Sequence, residues 1–288
     1  MKRKPFEPLI YLSPGMFFLA IFILLPIFFL LVLSFFDWNM FTGEYSFIGI
    51  KNYADMITNS EFYNACINTA IYVLGTVPAG MAAALFIAVL INRKIRWFAI
   101  YRTSIFLPVI VSLAASGIIW LWIYNYRSGI LNHLLLKIGL SKVDWLGDPG
   151  MALFSVILVT LWKRIGYNMV IFFAGLQVIP TQLYEAAKID GAKAVNQFRY
   201  VTWPNLLPTT SFVLVINVFF AFRDFSQIYV MTRGGPMGRT TTLVYYMYEL
   251  AFKEFSIGRA ASVAMILFAV VMLVTYLKIK YIDEKIEA

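Results

Sequence analysis

Hydrophobic and polar positions are not interleaved along this chain; they fall in blocks. Uncharged runs of 29 residues between Glu7 and Asp37, 31 between Glu61 and Arg93, 24 between Arg102 and Arg127, 23 between Arg199 and Arg223 and 18 between Arg259 and Lys278 are divided by short charged stretches. A helix rises 1.5 Å per residue, so about 20 apolar residues cross the ~30 Å hydrocarbon layer of a bilayer. A sixth apolar block, about 151–175, carries Lys163 and Arg164 near its middle. The pattern predicts six membrane helices, roughly 9–35, 66–92, 103–124, 151–175, 209–230 and 259–280. Pro14, Pro26, Pro78 and Pro108 sit in or beside these spans, where neighbouring helices can satisfy the freed backbone groups. The first run is too long for the apolar region of a signal peptide and no small-residue cleavage site follows Phe36, so it reads as a retained span.

Composition supports the membrane assignment. Of 288 residues, 61% are hydrophobic and 14% charged, against about 25% charged in ordinary soluble domains. That excludes soluble globular, disordered and collagen-like classes. A single cysteine, Cys66, excludes an intramolecular disulfide and a cysteine-based zinc site, and a single histidine, His133, argues against His-ligated metal or heme. The net charge of +9 is mostly orientation. With a cytoplasmic N-terminus, the inner segments hold 13 Lys/Arg and the outer ones 8, leaving Lys163, Arg164 and Arg223 within spans. Acidic residues divide as 6 inside, 8 outside and Asp224 within a span, so the inner side carries +7 and the outer side no net charge. The positive-inside rule then places both termini in the cytoplasm, and no nucleic-acid partner is expected. The Arg93-Lys94-Ile95-Arg96 cluster serves the same rule and could contact anionic lipid headgroups.

The longest inner loop, 176–208, has structure of its own. Pro180 opens a turn, Gln182 to Ile189 is helix-prone and Gly191 is a helix stop. Ala194 to Thr202 can form a second short helix ended by Pro204. The result is a cytoplasmic helix–turn–helix with small residues at its corner, which permit close docking, and with Glu185 and Asp190 available for charged contacts.

Glu185-Ala186-Ala187, Asp190-Gly191-Ala192, Pro204 and Pro208 resemble the EAA loop of ABC importer permeases. Phe47-Ile48-Gly49-Ile50-Lys51-Asn52-Tyr53, Tyr101-Arg102, Leu107-Pro108, Gly129-Ile130-Leu131-Asn132 and Trp145-Leu146 extend the likeness over nearly the whole chain. Phe225, Tyr229-Val230-Met231-Thr232, Gly234-Gly235-Pro236 and Thr240-Thr241-Thr242 resemble the sugar-permease subfamily, the maltose- and glycerol-phosphate-type first permease, without its extra N-terminal spans and large periplasmic insertion. The resemblance implies an all-α integral membrane protein of the type I ABC importer permease fold, one transmembrane domain over 1–288, in the plasma membrane. It implies a second permease subunit, a dimer of cytoplasmic ATP-binding subunits that receives the 176–208 loop, an extracytoplasmic solute-binding protein and a carbohydrate solute. ATP and Mg belong to the ATPase; this chain has no Walker-type loop and is expected to bind no cofactor and to catalyse nothing.

Polar groups inside a membrane are costly and tend to face a cavity or a partner. In the fifth span Asn217, Phe220, Ala221 and Asp224 share one helical face, with Gln227 beyond; in the fourth, Thr160, Arg164 and Tyr167 do. Thr160, Arg164, Tyr167, Asn217, Phe220 and Asp224 are the expected solute path, because sugars need hydrogen-bond pairs and an aromatic ring face. In the alternative reading Asn217 is interhelical glue, and Asp224 pairs with Arg164 or Arg223 and touches no solute. Helical rise puts Arg164 about 20 Å and Asp224 about 9 Å from the outer face, so a direct pair would need shifted span boundaries or side-chain reach. Lys163 and Arg164 could instead suit an anionic solute such as a sugar phosphate or uronate. Trp120 and Trp122 are expected interface anchors, and Ser112 and Ser116 helix-packing positions. An ion-coupled secondary transporter would show repeat symmetry and charged relays, and a membrane enzyme a catalytic cluster; the sequence shows none of these clearly.

Overall fold

The computed structural model describes the backbone of residues 7–92 and 98–280 and the side chains of 11–92 and 100–280. The Arg93–Arg96 cluster and the terminal lysines therefore lie outside the described residues. Fourteen α-helices and one hairpin follow in order among those described: α1 (Glu7–Leu19), α2 (Leu25–Leu33), β1 (Phe36–Trp38), β2 (Tyr45–Phe47), α3 (Lys51–Thr58), α4 (Ser60–Ile91), α5 (Phe98–Ile110), α6 (Leu113–Ile123), α7 (Ile130–Lys137), α8 (Ala152–Val178), α9 (Thr181–Ile189), α10 (Ala194–Gln197), α11 (Trp203–Arg223), α12 (Ser226–Met231), α13 (Leu243–Phe252) and α14 (Ile257–Lys278). Two π-helical turns, Ala20–Leu24 and Phe198–Thr202, join α1 to α2 and α10 to α11.

Among the described residues five helical stretches are long and apolar enough to cross a bilayer: Tyr11–Leu33, Ser60–Ile91, Ala152–Val178, Ala194–Arg223 and Ile257–Lys278. A sixth counts only if α5 and α6, bent by 102° across their junction, make one span. The sequence reading of 103–124 as one helix is thus corrected. Pro108 withholds a backbone donor near the end of α5, and the extended Ser112 restarts the chain as N-cap of α6, its Oγ accepting from the Ala115 N–H at 3.2 Å. Ser112 is therefore a cap rather than a packing residue, while Ser116 is fully buried.

The fifth span is corrected at both ends. Pro204 does not stop the loop's second helix: Ala194–Arg223 runs as one apolar helical stretch. Pro204 lies inside this continuous stretch, directly after the π turn Phe198–Thr202, whose wider winding accommodates the ring and the missing N–H. The Asn205 side chain donates to the Val201 carbonyl at 2.7 Å, within the same turn. At the other end the helix stops at Arg223; Asp224 is extended (ψ 100°) and α12 begins at Ser226.

The chain divides into two compact units, Met1–Phe62 with Tyr246–Val270, and Tyr63–Tyr245 with Val271–Ala288. In the first, Asn52 donates to the Ser34 and Phe36 carbonyls, each at 2.9 Å, and Tyr53 donates to Ser34 Oγ at 2.7 Å. The Asn52-Tyr53 pair that ended the resembling outer-loop motif thus caps the first span, whose Tyr11–Leu33 side chains are almost all exposed. In the second unit α4, α8 and α11 share an apolar core of Ala84, Ala88, Met169, Phe172, Leu176, Leu206 and Val213. Small residues bring backbones together. A Cβ on Gly166 would lie 2.2 Å from the Ile105 carbonyl oxygen, so only glycine allows α8 to pass α5 this closely.

Candidate functional site

Two sites were expected, a solute path within the spans and a docking loop at one end; each is built locally.

The first is organised by α8. Two successive turns of that helix carry Thr160, Lys163, Arg164 and Tyr167, with Asn168 one residue further. Arg164 Nη2 donates to both oxygens of Asp224, at 2.6 and 2.7 Å. Tyr72 of α4, fully buried, donates its proton to Asp224 Oδ2 at 2.6 Å, and the Thr160 hydroxyl lies 2.8 Å from the Tyr72 oxygen. The Arg164–Asp224 pair is thus the alternative weighed from sequence. The shifted span boundary it needed is present: the helix ends at Arg223 and Asp224 is extended, which brings its carboxylate to α8. Asp224 is 6% exposed, and the ion pair with its tyrosine donor satisfies it where water does not reach. The guanidinium also stands 5.5 Å from the Phe220 ring centroid, and Phe220 meets Tyr167 edge-on at 6.4 Å.

Asn217 and Asn168 exchange amide hydrogen bonds at 2.8 and 2.9 Å, and Asn217 donates as well to Val213 O at 2.8 Å. This links α11 to α8, the interhelical role weighed from sequence.

A cavity of about 250 Å³ lies beside these groups, near the lower end of small-molecule sites of roughly 300–1,000 Å³. Thr160, Arg164, Tyr167, Asn217 and Phe220 line it, so five of the six residues expected on the path face one space. Asp224 does not line it and holds Arg164 from behind. Val109 and Leu113, either side of the α5–α6 bend, complete the wall with Lys163 and Gln227.

Lys163, Tyr72, Asn168 and Gln227 were not among the expected site residues. Lys163 is 8% exposed and its ammonium donates to the carbonyls of Pro108, at 3.0 Å, and Val111. These are orphan carbonyls at the broken end of α5, which a cation satisfies. Asn168 could have been found by spacing, as i+4 from Arg164 and i+8 from Thr160. Tyr72 gave no signal, since a tyrosine in an apolar helix is common. Of the two tryptophans, Trp122 is exposed (79%) as expected, but Trp120 packs between Tyr124 and Trp162, with ring centroids 5.1 and 5.5 Å away.

The second site is the hairpin of α9 and α10. Glu185, Ala186, Asp190, Gly191 and Pro204 are exposed, Ala187 and Ala192 half-buried, and no side chain of α9 is buried. Pro208 lies inside α11 and is exposed. The turn is closed by bonds from Gly191 N to Lys188 O (3.0 Å) and Ala192 N to Ala187 O (2.8 Å), with Gly191 at φ +77°. This pairing requires a left-handed residue, and glycine adopts it without a Cβ penalty. Tyr184 OH and Thr202 Oγ1, 3.0 Å apart, tie α9 to the π turn. Ile189 and Val195 are 86% and 76% exposed on this hairpin, an apolar surface the chain itself leaves uncovered.

The profile of the family "Binding-protein-dependent transport system inner membrane component" matches residues 77–288. The chain is 33% identical to the probable ABC transporter permease protein YurN of Bacillus subtilis, over 95% of both chains. It is 35% identical to the sn-glycerol-3-phosphate transport system permease protein UgpA of Agrobacterium fabrum, over 84% of this chain and 82% of that one. It is 32% identical to the arabinooligosaccharides transport system permease protein AraP of Bacillus subtilis, over 96% and 88%. A crystal structure of a bacterial alginate ABC transporter, in complex with an alginate pentasaccharide-bound periplasmic protein, contains a chain of the same fold, with a TM-score of 0.83 at 22% identity over 94% of this chain and 93% of that one. The chain is a multi-pass membrane protein and belongs to the family of binding-protein-dependent transport system inner membrane components.

Proposed function

We propose that this chain is the permease subunit of an ATP-driven importer that carries a neutral carbohydrate across the plasma membrane. The observation that carries the reading is the juxtaposition made by one helical stretch: Ala194–Arg223 has the exposed hairpin at one end and the polar, aromatic-lined cavity at the other. The hairpin is the docking element for a cytoplasmic ATPase dimer; its exposed Ile189 and Val195 and its rigid glycine turn suit insertion into a cleft. A second permease subunit would complete the passage, and an extracytoplasmic binding protein would deliver the solute. Both termini and the hairpin lie on the cytoplasmic side, in accord with the distribution of Lys and Arg.

The names of the relatives, which include an arabinooligosaccharide and a glycerol-3-phosphate system, support a carbohydrate-type solute without fixing its charge; the cavity supports a neutral one. Arg164 is neutralised in place by Asp224, and Lys163 is engaged by carbonyls, which favours an uncharged solute over an oxyanion. Asn217, Thr160 and the Phe220 ring supply the polar and ring contacts a sugar uses.

The test is sugar uptake, and co-purification, in cells expressing the full importer. Glu185→Lys is expected to lose both the ATPase in pull-downs and uptake, whereas Phe220→Ala keeps the ATPase and raises the KM of uptake. Intact uptake and complex formation in Glu185→Lys would sink the docking assignment. An unchanged KM in Phe220→Ala would remove the cavity from the path.

A further inference from the structure

Two helix breaks lie beside the cavity: the bent α5–α6 junction at Val111–Ser112, and the Asp224–Phe225 junction where α11 ends and α12 follows. Each break is held by α8, and by consecutive residues. Lys163 donates to the carbonyls of Pro108 and Val111 on the α5 side of the first break. Arg164 pairs with Asp224, the residue at which the second break occurs. The short helices beyond the breaks, α6 and α12, pack on each other. A Cβ on Gly117 would lie 3.0 Å from Val230 Cγ1 and 3.4 Å from Met231 Cγ, so their approach is close.

We infer that Lys163 and Arg164 form a double clamp that makes the two breaks bend together, with α6 and α12 moving as one body. The physical basis is exchange of partners. Broken helix ends leave carbonyls that must be satisfied in a medium without water. Lys163 does this for α5 only in the bent geometry. Straightening α5–α6 would let backbone N–H groups reclaim those carbonyls and release the ammonium. Arg164 holds the carboxylate at the second break, and the tight α6–α12 contact carries a change at one break to the other. Lys163 and Arg164 are adjacent on a helix core that is among the most buried of the spans, so neither moves without the other. Lys163 is a positioning residue: it shapes the wall through Val109 and Leu113, which flank the bend. The inference concerns motion alone and holds whatever the solute is.

The test is dipolar electron spin resonance on the full-length chain in lipid nanodiscs, in a Cys66→Ser background. One label pair replaces Leu107 and Ile119 across the first break, the other Phe212 and Tyr229 across the second; all four positions are exposed. A straight helix would separate residues 107 and 119 by about 18 Å, and the bend holds them closer. Lys163→Met is expected to lengthen the 107–119 distance and shift the 212–229 distance in the same sample. Lys163→Arg, which keeps a charged donor, is expected to restore both. An unmoved 107–119 distance in Lys163→Met would show that the lysine does not hold the bend, and a shift at the first break alone would show that the breaks are independent. Should Lys163→Met fail to fold, Asp224→Asn reports from the other side. Coupling is reciprocal, so it must move the 107–119 pair, and failure to do so overturns the clamp.

Discussion

Asp224 gathers three elements onto one carboxylate: α8 through Arg164, α4 through Tyr72, and the α11–α12 junction by its own backbone. A buried pair of this kind contributes little over an apolar substitute, but breaking it by removing one partner costs about 3–5 kcal/mol, because the other charge stays buried. Asp224→Asn is therefore expected to lower the thermal stability of the purified protein by several degrees. The double variant Arg164→Gln/Asp224→Asn should recover most of that loss, since two neutral amides remain able to bond. Unfolding of the single and double variants in detergent measures it; equal losses would mean that the pair is not the source. Sequence alone brought Arg164 and Asp224 to notice as charges inside apolar runs and offered their pairing as one alternative without choosing between Arg164 and Arg223. Their contact depends on where α11 breaks, and nothing in the run from Asn217 to Gln227 marks a break as a proline would. Lys163 was visible for the same reason as Arg164, yet its partners are backbone carbonyls, which leave no trace in a side-chain pattern.

The secondary elements show the same division between local chemistry and tertiary override. The α9 turn was legible because its cause is local. Gly191 is needed for a left-handed backbone, and the structure has it at φ +77°. Pro204, read as a stop, lies inside a continuous helix because the π turn before it accommodates the ring, and a π turn cannot be read from sequence. The element-level prediction concerns that glycine. Gly191→Ala meets no steric neighbour, so its cost is purely conformational, about 1–2 kcal/mol for a left-handed L-residue. The hairpin should loosen without loss of the spans. Limited proteolysis is expected to cut the variant faster between α9 and α10 at unchanged helical circular dichroism. A cleavage rate equal to that of the parent would rule out a role for the turn in rigidity.

For the whole molecule, hydrophobic blocks found the five long apolar helical stretches among the described residues, while the block read as a third span is a pair bent by 102°. Orientation rests on the charge count alone, and a direct measurement decides it. With Cys66→Ser as background, a single cysteine at Ile138 and another at Val195 probe exposed positions, 71% and 76%, on the two expected sides. A membrane-impermeant maleimide should label the Ile138→Cys protein in intact cells and the Val195→Cys protein only after permeabilisation. The opposite pattern would invert the assigned topology.

The stretch from Ala194 to Arg223 is 30 residues long. At 1.5 Å per residue it makes a rod of about 45 Å. A rod converts angle into travel: a tilt of about 5° at the hairpin displaces the far end by roughly 4 Å, comparable to the width of a sugar hydroxyl and its neighbour. No loop intervenes to take up slack. Its one π turn among the described residues, Phe198–Thr202, lies close to the hairpin end. Under the docking proposed above, a rotation imposed at the hairpin is therefore carried along the whole length to the end of the helix beside Asp224, less whatever the π turn absorbs.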